Sequence, residues 1–207
     1  VDSYAGPDNL MRYAFEADWM RPLDKPFWLA ETETTHSAGT AVADEGDYAN
    51  SPGALRAKMW LTYALGGDAV SFWLWRAHWA GQELEHGSLI YPWGDECANT
   101  PEIAQVAAEL RTNAVWLRAT RPRPAAVALQ YGVPTQWLLE ATPIVAGFNY
   151  DAAITGFHRL LLEQGVVPDV IMPGATVTNY QVIFSPYTPA FDDATLKRLE
   201  NFVEQGG

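Results

Sequence analysis

The stretch Pro26-Phe-Trp-Leu-Ala-Glu-Thr-Glu33 is a short apolar run that stops on acid rather than on a turn residue. Further along, Ser71-Phe-Trp-Leu-Trp-Arg76 repeats the pattern with a cation at its end. Each run has the length of a buried strand. In a barrel of parallel strands, the carboxyl ends of the strands display the catalytic groups. The two runs therefore read as barrel strands, with Glu31 at the mouth.

Working outward from them, residues 8 to 20 set Leu10, Met11, Ala14, Phe15 and Trp19 at helical spacing, with Asp8 as N-cap and Pro22 as a stop. The first strand is expected at Phe27 to Ala30, followed by a polar loop from Thr32 to Asn50. Ser51-Pro52 opens the next helix with a cap and a first-turn proline, and Gly66-Gly67 closes it. The second strand is expected at Ala69 to Trp75. A third helix follows from Thr100-Pro101 to Leu117, with Ile103, Val106, Ala107 and Leu110 along one face. Strand and helix alternating in this way give consecutive βα units of a parallel sheet. The loops at 32–50 and 76–99 are long enough to be functional.

Arg118-Ala-Thr-Arg-Pro-Arg-Pro124 is basic, punctuated by proline and without periodicity, so a domain boundary is expected there, between domains at 1–118 and 125–207. Beyond it the alternation restarts: strand at Ala125 to Tyr131, helix at Asp151 to Gln164 ended by Gly165, strand at Tyr180 to Ser185, helix at Asp192 to Gln205. This half reads as an incomplete open α/β layer of the flavodoxin type. It contains no GxGxxG or P-loop fingerprint, which argues against a nucleotide site. No internal repeat or low-complexity tract is present.

The chain has 207 residues, 18% of them charged and 48% hydrophobic, enough to bury a sizeable core. A net charge of −12 argues against nucleic-acid binding, since nothing neutralises phosphates. No segment approaches the roughly 18 consecutive apolar residues of a membrane span. Cys97 is the single cysteine, which excludes intrachain disulfides and a Cys-rich metal site; a solvated or half-buried thiol is expected. Val1 at the start and Val203-Glu-Gln-Gly-Gly207 at the end, without a signal leader, read as cuts in something longer.

In the first strand, strict alternation puts Phe27, Leu29 and Glu31 on one face and Trp28 and Ala30 on the other. Glu31 is then the last inward side chain, the position a retaining glycosidase gives its nucleophilic carboxylate. The same pattern fits a strand-end glutamate paired with an arginine for structure alone. Glu33 is a rival two residues on, past the apolar run. The second strand leads into Trp75-Arg-Ala-His-Trp-Ala-Gly-Gln-Glu-Leu-Glu-His86. Carboxylates and imidazoles there can grip sugar hydroxyls, while indole faces stack on a pyranose. A metal is poorly supported, because Glu83 and His86 have no second ligand pair beside them. With nine tryptophans in the chain, the pattern points to carbohydrate chemistry.

Residues 26 to 96 resemble the end of the catalytic barrel of glycoside hydrolase family 42, the microbial β-galactosidases. The resemblance rests on Pro26-Phe-Trp-Leu-Ala-Glu31, on Gly53-Ala-Leu-Arg-Ala-Lys-Met-Trp-Leu-Thr-Tyr-Ala-Leu-Gly-Gly-Asp-Ala69 and, most specifically, on Phe72-Trp-Leu-Trp-Arg-Ala-His-Trp-Ala-Gly-Gln-Glu-Leu-Glu-His-Gly87. Residues 125 to 207 resemble the trimerisation domain that follows that barrel, related in fold to class I glutamine amidotransferases but without their catalytic cysteine. Its best-matching pieces run from Gly165-Val-Val-Pro-Asp-Val170 through Tyr180-Gln-Val-Ile-Phe-Ser-Pro186 to Phe202-Val-Glu-Gln-Gly-Gly207.

The resemblance implies a (β/α)8 barrel piece followed by a flavodoxin-like domain, both incomplete. It further implies Glu31 as nucleophile, Glu83 and His86 as ligands of galactosyl hydroxyls, and Arg76 as an orienter of a carboxylate, with Trp75 beside them. It implies no cofactor and no metal, a β-galactoside substrate, a homotrimer for the full-length protein, no nucleic-acid or membrane partner and a cytoplasmic location. Position 39 is glycine where the family commonly stacks a tryptophan on galactose; His36, Tyr48 and Trp79 are the candidate substitutes. The family's acid/base glutamate lies on a strand with no counterpart here, so this piece alone is expected to be inactive. The alternatives are a non-catalytic assembly or carbohydrate-binding module, and a barrel glycosidase acting on other β-glycosides.

Overall fold

The computed structural model describes residues 2–3, 7–32, 34, 53–81, 87–189 and 191–207. These divide into two compact units, the first comprising 1–17 and 25–122, the second 18–24 and 123–207.

The first unit is built on short parallel strands: β1 (Asp2–Ser3), β2 (Trp28–Leu29), β3 (Glu31–Thr32) and β4 (Ala69–Val70). β3 pairs with β1 and β2 pairs with β4, so residues 28–32 run between two parallel neighbours. The β1 pairing adds a third strand to the two expected. Strand order and helical cover are those of a parallel barrel segment.

Helix α1 (Pro7–Met20) begins at Pro7, so Asp8 lies in its first turn rather than at its cap. It buries Tyr13, Ala14, Phe15 and Ala17. The Tyr13 hydroxyl donates to Thr62 Oγ1 at 2.8 Å, and burial pushes this phenol up to about 12.

Helix α2 (Ala54–Ala64) follows Gly53, which adopts φ 88°. The caps expected from Ser51 and Pro52 lie outside the described residues. The observed cap comes from elsewhere: the carboxylate of Glu102 accepts from the N–H of Gly53 (3.2 Å) and of Arg56 (2.8 Å). A carboxylate on these orphan donors also answers the positive end of the helix dipole. At the far end Gly66 has φ +97°, and a Cβ on Gly67 would meet the Thr62 side chain at 2.7 Å, so both glycines are required.

The single helix expected from Thr100 to Leu117 is two, α3 (Thr100–Thr112) and α4 (Ala114–Ala119). Asn113 breaks it by folding its side-chain amide back onto the Glu109 carbonyl at 2.8 Å. Cys97 is buried rather than solvated, its Sγ 3.5 Å from Ser88 Oγ.

The second unit is a parallel three-stranded sheet in the order β6 (Asp169–Ile171), β5 (Val127–Gln130), β7 (Val182–Phe184). In chain order this is 2-1-3, the flavodoxin-like pattern. Between β5 and β6 run α5 (Val133–Ala141), a helix absent from the sequence expectation, and α6 (Tyr150–Glu163). Asn149 caps α6, and Asp192 caps α7 (Asp193–Glu204) through a 2.6 Å bond from the Thr195 N–H. Hydrogen bonding from Thr195, its side chain first and this backbone N–H second, holds the Asp192 carboxyl below its ordinary range. Ala128, Ile171 and Val177 form a core with Tyr180, Ile183 and Phe202 packed against it.

Charge is also buried in this unit. Asp18 accepts from His158 Nε2 (2.7 Å) through one oxygen and from Arg21 Nη1 through the other. Arg21 Nε reaches Asp169 Oδ1 (2.8 Å), and Tyr180 donates to Asp169 Oδ2 (2.9 Å). Burial alone would lower the Arg21 pKa, but Asp18 and Asp169 outweigh it and raise it. Among the described residues no helix is long and apolar enough to cross a membrane.

Candidate active site

The site begins with an irregularity in the strand that carries Glu31. In a parallel ladder, successive hydrogen bonds advance evenly along both strands. Here the N–H groups of Asp68, Ser71 and Trp73 donate to the carbonyls of Phe27 (2.9 Å), Leu29 (2.8 Å) and Thr32 (2.9 Å). From Phe27 to Leu29 the first strand advances two residues to its partner's three, and from Leu29 to Thr32 three to its partner's two, so in this second interval it spends one residue more than its partner. This extra residue interrupts the side-chain alternation, as a bulge does. Leu29 and Thr32 are both fully buried, whereas Trp28, Ala30 and Glu31 are exposed.

The expectation that Glu31 shares a face with Leu29 is thereby corrected. Register, which the partner strand sets, has shifted by one at this point. Within β3 neighbouring side chains point to opposite faces, and Thr32 points to α2, where Lys58 Nζ donates to its hydroxyl at 2.8 Å. Glu31 thus lies on the face away from α2. Among the described residues its carboxylate makes no hydrogen bond or ion pair, so the structural pairing with an arginine is not found there.

Beyond β4 the chain passes Trp73, joined to Leu74 by a cis peptide bond, and reaches Trp75, exposed at 69%. Arg76 is exposed and clamps the carbonyl of Pro92, through Nε at 3.2 Å and Nη2 at 2.5 Å. Its expected role, orienting a carboxylate, is not tested by this backbone contact, since Glu33 and Glu83 lie outside the described residues. Arg76 also bridges Ile90 in parallel, which closes the loop back on the strand end. Tyr91 and Trp93, flanking Pro92, stack at 4.7 Å. Trp79 is exposed at 74% beside a shallow depression lined by Arg76 to Ala80. Glu83, His86, Glu33, His36, Gly39 and Tyr48 lie outside the described residues. Among the described residues no group of three His, Cys, Asp or Glu side chains could hold a metal.

A separate cavity lies elsewhere. It has about 550 Å³ and is lined by Trp60, Tyr63, Asp68, Leu110 and Trp116 among others. Asp68 precedes β4, so this cavity sits at the amino end of the strand, opposite to where a parallel barrel performs chemistry.

A parallel strand segment covered by helices, with an exposed carboxylate at its carboxyl end, defines the class: part of a parallel barrel, followed by a flavodoxin-like unit. Comparison with known proteins fixes the family. Residues 1–113 match the β-galactosidase domain of glycoside hydrolase family 42, and residues 125–207 match the β-galactosidase trimerisation domain. The chain belongs to this family. It is 32% identical over its whole length to the β-galactosidase YesZ of Bacillus licheniformis and 27% identical to YesZ of Bacillus subtilis, covering 31% of each. Among solved structures, the β-galactosidase of Bacillus circulans sp. alkalophilus superposes on the whole chain at TM-score 0.88 and 26% identity, with 30% of that protein covered. The polyextremophilic β-galactosidase of Halorubrum lacusprofundi covers 98% of the chain at TM-score 0.85 and 26% identity, again with 30% of its own length matched. The chain thus spans under a third of the length of these relatives.

Proposed function

We propose that the enzyme to which this chain contributes releases terminal β-D-galactose from β-galactosides with retained configuration, and that Glu31 is its nucleophile. The observation that carries the reading is the state of Glu31: exposed, at a strand's carboxyl end, without an internal partner among the described residues, and turned from the helix that holds Thr32. A carboxylate with an unengaged lone pair can attack an anomeric carbon.

In the first step ionised Glu31 forms a bond to the anomeric carbon as the glycosidic bond breaks. A second carboxyl group, supplied by parts of the enzyme outside this chain, gives its proton to the departing oxygen. That group then deprotonates water, which displaces Glu31 and frees galactose. Glu83 and His86 are proposed to hold galactosyl hydroxyls, and Trp75 and Trp79 offer exposed indole faces for stacking. The match of residues 125–207 to a trimerisation domain supports an oligomer, and the proposed state is a trimer.

The test uses the full-length enzyme and an aryl β-galactoside with a good leaving group. Glu31→Ala lowers turnover by roughly 10⁴-fold or more. Added azide restores it by taking the carboxylate's place, yielding the α-galactosyl azide. The 207-residue chain by itself releases no nitrophenol. A Glu31→Ala enzyme that hydrolyses galactosides without azide would refute the assignment.

A further inference from the structure

Lysine is almost never fully buried unless its ammonium is paired, and Lys58 in α2 is 1% exposed. Its Nζ donates to Thr32 Oγ1 at 2.8 Å. Thr32 is the residue after Glu31 and closes the stretch with the extra residue; its carbonyl accepts from the Trp73 N–H at 2.9 Å. Both the backbone and the side chain of Thr32 are therefore fixed, one from the neighbouring strand and one from the helix behind it.

The support reaches deeper. Thr62 Oγ1 donates to the Lys58 carbonyl at 3.0 Å and accepts from the Tyr13 hydroxyl at 2.8 Å, so α1 and α2 hold the turn that carries Lys58. Burying an ammonium is costly, and an apolar side chain would fill the same space without that cost. The bond to Thr32 puts a directional contact at the point where the ladder loses its regular count.

We propose that Lys58 is a positioning residue for the glycosidase reaction: by anchoring the Thr32 hydroxyl against α2, it fixes the register that turns Glu31 to the opposite face. The proposal rests on Glu31 being the nucleophile. Lys58 touches neither substrate nor reacting atoms; it acts through Thr32.

The test is single-turnover release of dinitrophenol from dinitrophenyl β-galactoside by the full-length enzyme, since this step reports attack by Glu31. Thr32→Val removes the acceptor at nearly constant volume. It lowers the burst rate about tenfold or more, while the dissociation constant for galactoside stays within about twofold. Thr32→Ser, which keeps the hydroxyl, restores most of the rate. Lys58→Met moves the rate in the same direction as Thr32→Val, and if it fails to fold Thr32→Val decides alone. A Thr32→Val enzyme with lowered thermal stability and an unchanged burst rate overturns the proposal, as does one that loses only galactoside affinity. The Glu31→Ala enzyme with azide separates the two ideas. If Glu31→Ala depends on azide and Thr32→Val keeps its rate, positioning by Lys58 fails alone. If Glu31→Ala is active without azide, both fail.

Discussion

Two carboxylate sites, one in each unit, are treated in opposite ways. In the second, Asp18 and Asp169 are buried and all four of their oxygens are occupied, by Arg21, His158 and Tyr180. In the first, Glu31 is exposed and has no partner among the described residues. Density of buried ionisable groups is often taken as a mark of a functional site. Here the dense cluster is structural, because each of its four carboxylate oxygens already has a partner within the fold. The proposed nucleophile is the carboxylate without a partner among the described residues.

The contrast predicts two substitutions with crossed effects. Glu31→Ala removes catalysis, the largest effect expected, yet its unfolding free energy stays within about 0.5 kcal/mol of wild type, as for a surface change that breaks no internal bond. Asp18→Ala does the reverse. Removing one member of a buried, hydrogen-bonded charge cluster takes a partner from both Arg21 and His158 and costs about 3–5 kcal/mol. Urea unfolding monitored by tryptophan fluorescence measures both. An Asp18→Ala protein as stable as wild type would show that the cluster is hydrated enough to dispense with its partner. A strongly destabilised Glu31→Ala protein would show that Glu31 is a structural group after all.

What could be read from the residues alone follows the same division between local and long-range causes. Helices with strong stripes or caps were legible: α1 from the spacing of Leu10, Ala14 and Phe15, and α7 from Asp192 at its start. Glu31 at a strand end was legible too, because an apolar run halting on acid is a local signal. β1 was not, since two polar residues carry no periodicity and become a strand only by pairing with Glu31 and Thr32. α5 escaped because Gly132 before it gives no side-chain cap and its Trp137 and Leu138 are exposed. The face of Glu31 was misjudged because the extra residue between Leu29 and Thr32 is defined only against β4 and the residues after it. For the same reason Lys58 was invisible as a site residue. A lysine on a helix is ordinarily solvated, and only the tertiary fold buries this one.

Glu109 stands between the two extremes and sharpens the comparison with the smallest effect. It lies near the surface of α3, yet Trp60 Nε1 (2.8 Å), Arg56 Nε (3.1 Å) and Gln105 Nε2 (2.9 Å) all donate to it. Those bonds, the Trp60 one foremost, lower its carboxyl from the ordinary 4.5 to about 2. A carboxyl whose folded pKa is depressed stabilises the fold at any pH above its unfolded value. That contribution is lost as the pH falls toward the folded value. The loss therefore falls between about pH 4.5 and about pH 2. Glu109→Gln keeps the shape but removes the charge, so its thermal midpoint at neutral pH lies below wild type, and the gap narrows across that window. Scanning calorimetry of both proteins over the acid range tests this. A gap that persists unchanged to the lowest pH would mean that Glu109 contributes by packing alone. Its hydrogen-bonded charge would then belong with neither the buried cluster of the second unit nor the bare carboxylate of the first.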